Sequence, residues 1–201
     1  HDVQRLRDET GGRPAAVTFL LLMLSAGQPF HQPVIDAMGR KMGAYIEETT
    51  LRLLEPKARK LLTQLALFDQ FDQALAEMLT GGGAILAALE SLWQAGGLIQ
   101  PCGNLWRITD QRFLLPYLRQ KVASEYSQEQ IRAIHLAGGR WYALRQDFHN
   151  ALYHYRQAGS RKDIMDALTQ NARLHPGVGA YYEMRDYYNL LTEEEIYSSP
   201  D

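Results

Sequence analysis

"HLAGGRWYALRQDFHNALYHYRQAG", from His135 to Gly159, holds three histidines and four Trp or Tyr residues within 25 positions. Such density has two explanations: a site for chemistry, or a surface on which helices fill one another's gaps. Spacing separates them. Phe148, Ala151, Leu152 and Tyr155 recur at intervals of three and four, the period of one helical face. Asp147 stands just ahead of that run, where a carboxylate caps the first turn of a helix.

In a 34-residue paired-helix repeat of the tetratricopeptide type, small residues sit where the two helices touch and aromatics fill the gaps beside them. With the register set at Gly139, these positions fall on Gly139, Tyr142, Ala151, Tyr155 and Ala158, all of suitable type. Asp163 stands where the closing proline is usual, and the next register lands on Arg173 and Arg185, so no second good copy follows. Trp141, Tyr142, Tyr153 and Tyr155 are therefore read as packing residues. His149 and His154 lie five apart, which takes them off a shared helical face, and the chain has no HExxH or CxxC. No metal site is expected. A single pair cannot bury both of its faces, so neighbouring helices are expected, and with them a chain that continues past Asp201.

Ahead of this stretch the pattern changes. Residues 1–36 read as helix, break, helix: Gly11-Gly12 interrupt, Pro14 suits a first helical turn, and Gly27, Pro29 and Pro33 mark a loop. Residues 37–126 read as short helices around a hairpin. "AYIEETTLRLL" places Tyr45, Ile46, Thr49 and Leu53 on one face, and "EPKARKLLTQLALF" stacks Leu61, Leu62, Leu65 and Phe68. "FDQALAEMLT" is a third helix, and "GAILAALESLWQAGG" a fourth closed by Gly96-Gly97. "LIQPCGNLWRI" is a hairpin signal, and "RFLLPYLRQKVASEY" returns to helix with Pro116 as a kink or a late start. Helices, a hairpin and a following helix make a winged-helix pattern. Residues 127–201 are helical again, with Ser127-x-x-Gln130 as a capping box, Ser160-x-x-Asp163 opening a helix that turns Ile164, Ala167 and Leu168 inward, and "YYEMRDYYNLL" as a fourth helix.

The totals fit a globular protein of one large domain or two small ones: 201 residues, 46% hydrophobic, 22% charged, net charge -2. A near-neutral balance lacks the basic footprint of a nucleic-acid-binding domain. The single cysteine, Cys102, excludes an intrachain disulfide and points to a reducing compartment. The apolar run from Pro14 to Gly27 is shorter than the ~20 residues a bilayer requires, and reads as a buried helix of a cytoplasmic protein with no membrane partner. The missing initiator Met and the box Thr192-x-x-Glu195 close to the end suggest a piece of a larger protein.

Other motifs have plain readings. "TGGGA", Thr80 to Ala84, lacks the Gly-Lys-Ser/Thr ending of a phosphate loop and reads as a joint between helices. The acidic run Glu193 to Glu195 suits a helix start. The helix in the recognition position, "AILAALESLWQA", has no Lys or Arg and carries Glu90. Contacts to phosphate and guanine depend on those cations, so it is badly equipped to read DNA.

Five segments then line up in order: "TGGRPAAVTFLLLML", "AYIEETTLRLLEPKARKLLTQLALFDQF", "LESLWQAGGLI", "HLAGGRWYALRQDFHNALYHYRQAGSRKDIMDAL" and "YYNLLTEEEIYSSPD". Together they resemble the middle of large ATP-dependent LuxR-type transcriptional regulators of the STAND class, maltose-regulon-activator-like. The resemblance covers nearly the whole chain, and its specificity lies in the order and spacing of its motifs. It implies the end of an ATPase helical lid at 1–36, a winged-helix domain at 37–126 and the start of a tetratricopeptide-like sensor array at 127–201. It implies an ATPase domain ahead of the segment and a DNA-binding helix-turn-helix after it. ATP or ADP would be the cofactor of the parent protein, with none for the segment alone. An inducer or regulatory protein would bind the array, and the ATPase domain would be an intramolecular partner. Pro14 matches the family proline beside the adenine, although it has an equally plain role in opening a helix. Two positions depart from the pattern. Arg13 replaces the usual Trp before that proline, and Asp110 or Gln111 stands where relatives have a phosphate-contacting His. Neither Asp110 nor Gln111 supplies a positive charge; Arg107 and Arg112 are the nearby cations.

The expected fold is mainly all-α: a winged-helix domain with a small β-hairpin, followed by a tetratricopeptide-like helical array. The expected role is regulatory coupling inside a transcriptional regulator and signal-transduction ATPase. The segment itself is not expected to be an enzyme, since it has no P-loop, Walker acid or magnesium ligand set. The alternatives are a DNA-binding winged-helix repressor with a helical dimerisation tail, and a free-standing tetratricopeptide adaptor. A mobility-shift assay at low salt separates the first of these. The cation-free recognition helix predicts no tight duplex binding by the 201-residue chain, and tight, salt-sensitive binding would overturn that reading.

Overall fold

The computed structural model describes residues 2–82, 85–95, 97–174 and 178–192. Among the described residues the fold is mainly all-α, with one small hairpin. In order, its elements are α1 (Asp2–Thr10), α2 (Pro14–Ser25), α3 (Gln32–Thr49), a 3₁₀ turn (Leu51–Leu53), α4 (Pro56–Leu65), α5 (Gln73–Thr80), α6 (Ile85–Gln94), β1 (Ile99–Cys102), β2 (Leu105–Ile108), α7 (Leu114–Glu125), α8 (Gln128–Leu144), α9 (Phe148–Ala158), α10 (Arg161–Leu174) and α11 (Val178–Tyr188). They fall into two compact units. Unit 1 is His1–Phe71 with Ala84–Ser124, and unit 2 is Asp72–Gly83 with Glu125–Asp201.

In unit 1, α1 ends where Gly11 and Gly12 take φ of 57° and 68°, a conformation glycine adopts without a Cβ clash. Pro14 then opens α2, where its missing N–H leaves no bond unmade. The expectation of a buried α2 is only half met. Ala16, Leu20 and Met23 are buried, while Leu21 and Leu22 are 47% and 62% exposed. A helix packed on one side leaves the other side in water, however apolar its sequence.

α3 corrects a second expectation. It begins at Gln32, so Pro33 lies inside the helix rather than in a loop. Proline is tolerated there because first-turn N–H groups have no intrahelical acceptor. The face predicted for residues 45–53 is also broken. Ile46 is buried, but Tyr45 is 44% exposed and Leu53 is 81% exposed. The helix stops at Thr49 and tightens into the 3₁₀ turn, which shifts the phase of the following side chains. Gly43 lets α3 approach α7 closely: a Cβ there would stand 2.6 Å from the Tyr117 ring. Beside that contact, Tyr117 and Lys121 each donate to Glu47 Oε2 at 3.0 Å.

The remainder of unit 1 matches the sequence pattern more closely. Leu61, Leu62, Leu65 and Phe68 are all buried to 2% exposure or less. The hairpin pairs Ile99 with Ile108 and Cys102 with Leu105, turning at Gly103 with φ of 63°. Phe71 adds a bridge that periodicity could not show. Its N–H donates to Trp106 O at 2.9 Å and its carbonyl accepts from Trp106 N at 2.7 Å. Pro116 is the third residue of α7, so it marks a late start and no kink.

In unit 2, Ser127 and Gln130 form the expected capping box, and Asp147 Oδ1 accepts from Asn150 N at 3.2 Å to cap α9. Ser160 and Asp163 meet through their side chains at the start of α10. Ile164, Ala167 and Leu168 are buried, as are Phe148, Ala151, Leu152 and Tyr155. Between α8 and α9 the chain turns within Arg145–Asp147, where Gln146 takes φ of 61°. Tyr155 of α9 seats its ring on Gly139 of α8. A Cβ built there would lie 2.4 Å from Tyr155 Cδ1 and Cε1. Glu193 to Glu195, and with Glu195 the box from Thr192, lie outside the described residues, as do Gly96 and the Gly83-Ala84 part of the joint.

That contact makes a measurable demand. Gly139→Ala is expected to cost unit 2 about 1–3 kcal/mol in urea unfolding, because the added methyl would overlap the buried Tyr155 ring. Adding Tyr155→Leu should recover part of the loss, and an unchanged midpoint for Gly139→Ala would contradict the close contact.

Candidate functional site

Residues singled out by sequence gather in two clusters, one in each unit. In unit 2, α8 brings His135 against His154 of α9. Their Nδ1 atoms are 3.0 Å apart, and the residues are 7% and 3% exposed. At that distance one ring donates and the other accepts, which requires complementary tautomers. Tyr142 stacks on His154 at 5.3 Å between centroids, and Tyr153 meets both imidazoles edge-on. Trp141 stands edge-on to Tyr142 at 4.7 Å. Thus the imidazoles do converge, but on each other and inside a ring-filled interface. His149 is exposed. The partner of His154 was missed because it lies 19 positions upstream, on the other helix. Among the described residues no group of three or more His, Cys, Asp or Glu is placed to hold a metal ion.

Burial sets the protonation of these groups. It pushes the His135 pKa down, and it pushes that of His154 down to about 3, with the charge of His135 acting in the same direction. Burial, reinforced by Asp163, raises the Tyr155 phenol to about 12. Neutral forms are favoured throughout, as expected of a core.

Asp72 supplies a link that the sequence did not reveal. Its Oδ1 accepts from Leu75 N at 2.9 Å, capping α5, and from Trp141 Nε1 at 2.8 Å. Its Oδ2 accepts from Arg145 Nη1 at 2.7 Å, and that guanidinium lies 4.8 Å over the Trp141 ring. A capping aspartate before "QALAEML" was visible as a type of residue; its indole and guanidinium partners, about seventy positions on, were not.

In unit 1 the second cluster surrounds the turn after the hairpin. Pro14 is exposed at the first position of α2. Its neighbour Arg13 forms an ion pair with Asp110, Nε to Oδ2, at 3.0 Å. The other oxygen, Asp110 Oδ1, accepts from the backbone N–H of Arg112 and Phe113 at 3.0 Å each. Gln111 donates to Ile108 O. Neither nearby cation is idle. Arg112 donates to Glu9 Oε2 and to Glu9 O, both at 2.7 Å. Arg107 lies opposite Gln100 in the hairpin, and the Gln100 amide oxygen, turned toward it, accepts from Nε at 2.8 Å and Nη2 at 2.7 Å. A cleft of about 420 Å³ opens beside this cluster, with Arg13, Thr49, Thr50, Thr109 and Asp110 among its lining residues. Pro14 is not one of them.

No family model matches the chain. It is similar to part of a transcriptional regulator, over nearly its whole length. That relative is the HTH-type transcriptional regulator MalT of Vibrio cholerae serotype O1, with 27% identity over 203 residues. The alignment covers 97% of this chain and 22% of the regulator, so the chain spans about a fifth of its relative's length. Among the described residues no single helix is long and apolar enough to cross a membrane.

The buried imidazoles give unit 2 a pH dependence of known sign. Both hold protons less readily when folded, so the unfolded chain binds more protons below its ordinary value of 6.5. The contribution of the pair to stability is full above about pH 6.5 and falls as pH drops, for His154 toward about 3. Urea unfolding across that window should show the decline, and His154→Gln should flatten it. A wild-type profile that stays flat between those limits would contradict the burial of the pair.

Proposed function

We propose that this chain is a regulatory middle segment of a transcriptional regulator and signal-transduction ATPase. It couples nucleotide state, and the binding of an inducer or regulatory protein, to DNA binding by a domain outside these residues. The observation that carries the reading is the similarity to a transcriptional regulator across 97% of the chain, rather than across one module.

Residues 1–36 then end the ATPase lid, 37–126 form a winged helix, and 127–201 begin a tetratricopeptide-like sensor array. The hairpin between α6 and α7 supports the second assignment, and the seating of Tyr155 on Gly139 supports the third. ATP or ADP would bind the parent's ATPase domain, with Pro14 offering a fixed, exposed apolar face to the adenine. Asp110 would not recognise phosphate, since its carboxylate is committed to Arg13 and to two backbone N–H groups. The Arg13–Asp110 pair would join the start of α2 to the hairpin module without a nucleotide. The parent would act in the cytoplasm, in the LuxR-type, STAND-class manner, and this segment would hydrolyse nothing by itself.

Deleting the gene that encodes this segment and sequencing transcripts tests the reading. A confined set of operons is expected to change and to recover on complementation. An unchanged transcript profile under all growth conditions tried, or phosphate release from ATP by the purified 201-residue chain, would contradict it.

A further inference from the structure

We propose that the cleft of unit 1 is a binding site for a small amphipathic carboxylate, an anionic head carried on an apolar body. This goes beyond the regulatory role above and does not depend on it. The volume, about 420 Å³, falls in the usual range for small-molecule sites, about 300–1,000 Å³. The lining has two characters. Ile46, Leu53, Leu54, Leu98 and Leu114 supply apolar surface, while Arg13, Thr49, Thr50, Thr109 and Asp110 supply polar groups.

Three features select the ligand. The first is the charge that a ligand meets. Asp110 is 8% exposed and fully engaged, with one oxygen on two backbone N–H groups and the other on Arg13. The Arg13 side chain is 47% exposed and approaches Asp110 through Nε. Both members of the pair line the cleft, but the guanidinium is the exposed one, and the carboxylate has both oxygens engaged. A guanidinium that keeps a free edge takes a second carboxylate in its planar fork.

The second feature is Leu53. It is 81% exposed, while its neighbour Leu54 is 6% exposed. An aliphatic side chain held in water on the wall of a cleft gains about 25 cal/mol for each Å² that a ligand covers. The third is the commitment of the hydroxyls. Thr49 donates to Tyr45 O and Thr109 to Gly97 O, and Thr50 Oγ1 lies 3.4 Å from Thr49 Oγ1, so all three hydroxyls have partners within the fold. The groups left to attract a charged ligand are the Arg13 cation and apolar carbon, complementary to a carboxylate on a hydrocarbon or aromatic body.

The test is a titration of the whole 201-residue chain, followed by ¹H–¹⁵N spectra, with octanoate, 1-octanol and acetate as probes. Octanoate is expected to shift the amides of Thr49, Thr50, Leu54 and Leu98. Octanol should bind about tenfold more weakly, and acetate should leave the spectrum unchanged. Arg13→Gln should bring octanoate down to the level of octanol. Leu53 provides a second pair of variants at an exposed position, where folding is not at stake. Leu53→Glu should weaken octanoate about tenfold, and Leu53→Lys should not weaken it. The proposal is overturned if octanoate and octanol bind alike to the unaltered chain, if the shifts fall on Leu21 and Leu22 of α2, if no probe shifts any amide, or if the two Leu53 variants behave alike.

Discussion

Gly139 has no side chain, and Tyr155 fills the space that one would take. The α8–α9 pair depends on that substitution of a ring for a Cβ. With the Tyr155 ring seated on Gly139, the same two helices also bring His135 and His154 to hydrogen-bond distance. Tyr142 then stacks on His154, and Trp141 meets Tyr142 edge-on. Aromatic density in the sequence is thus a consequence of helix geometry. Small residues at the crossing need large ones beside it, or cavities would open.

A neighbouring constraint concerns Phe71 and Asp72. Phe71 is held by two backbone bonds to Trp106 in unit 1, and Asp72 by Leu75, Trp141 and Arg145 in unit 2. As a result α5 groups with the later helices, although by position it reads as the third helix of the earlier block. Three charge-assisted or capping contacts on one carboxylate outweigh sequence order.

How far the sequence revealed this depended on the range of the interaction. Caps and turns act over three or four residues, so Ser127, Asp147 and the presence of a hairpin were legible, whereas its register was not: Pro101 and Cys102, grouped with the turn by sequence, pair within β1. One-sided periodicity also found the buried faces of α4, α9 and α10. It failed where a helix bends out of phase, at Leu53 after Thr49, and where an apolar helix packs on one side only, as α2 does with Leu21 and Leu22. Pairings across tens of residues were not legible at all: His135 with His154, Asp72 with Trp141, Arg13 with Asp110. Arg13 is a departure from the resembling family, and Asp110 is one of the two residues, with Gln111, that stand at its other departure. Taken singly they looked like losses. In space they are one ion pair, and they sit on the wall of the cleft in unit 1.

The central claim is that the ring-rich stretch is packing and carries no reagent. Long-range ¹H–¹⁵N spectra of the histidine side chains test it most directly. At pH 7 the account predicts neutral His135 and His154 in opposite tautomers, one protonated at Nδ1 and the other at Nε2, unmoved by added zinc or copper. Imidazoles that titrate freely near 6.5, or that shift on adding either metal, would contradict it.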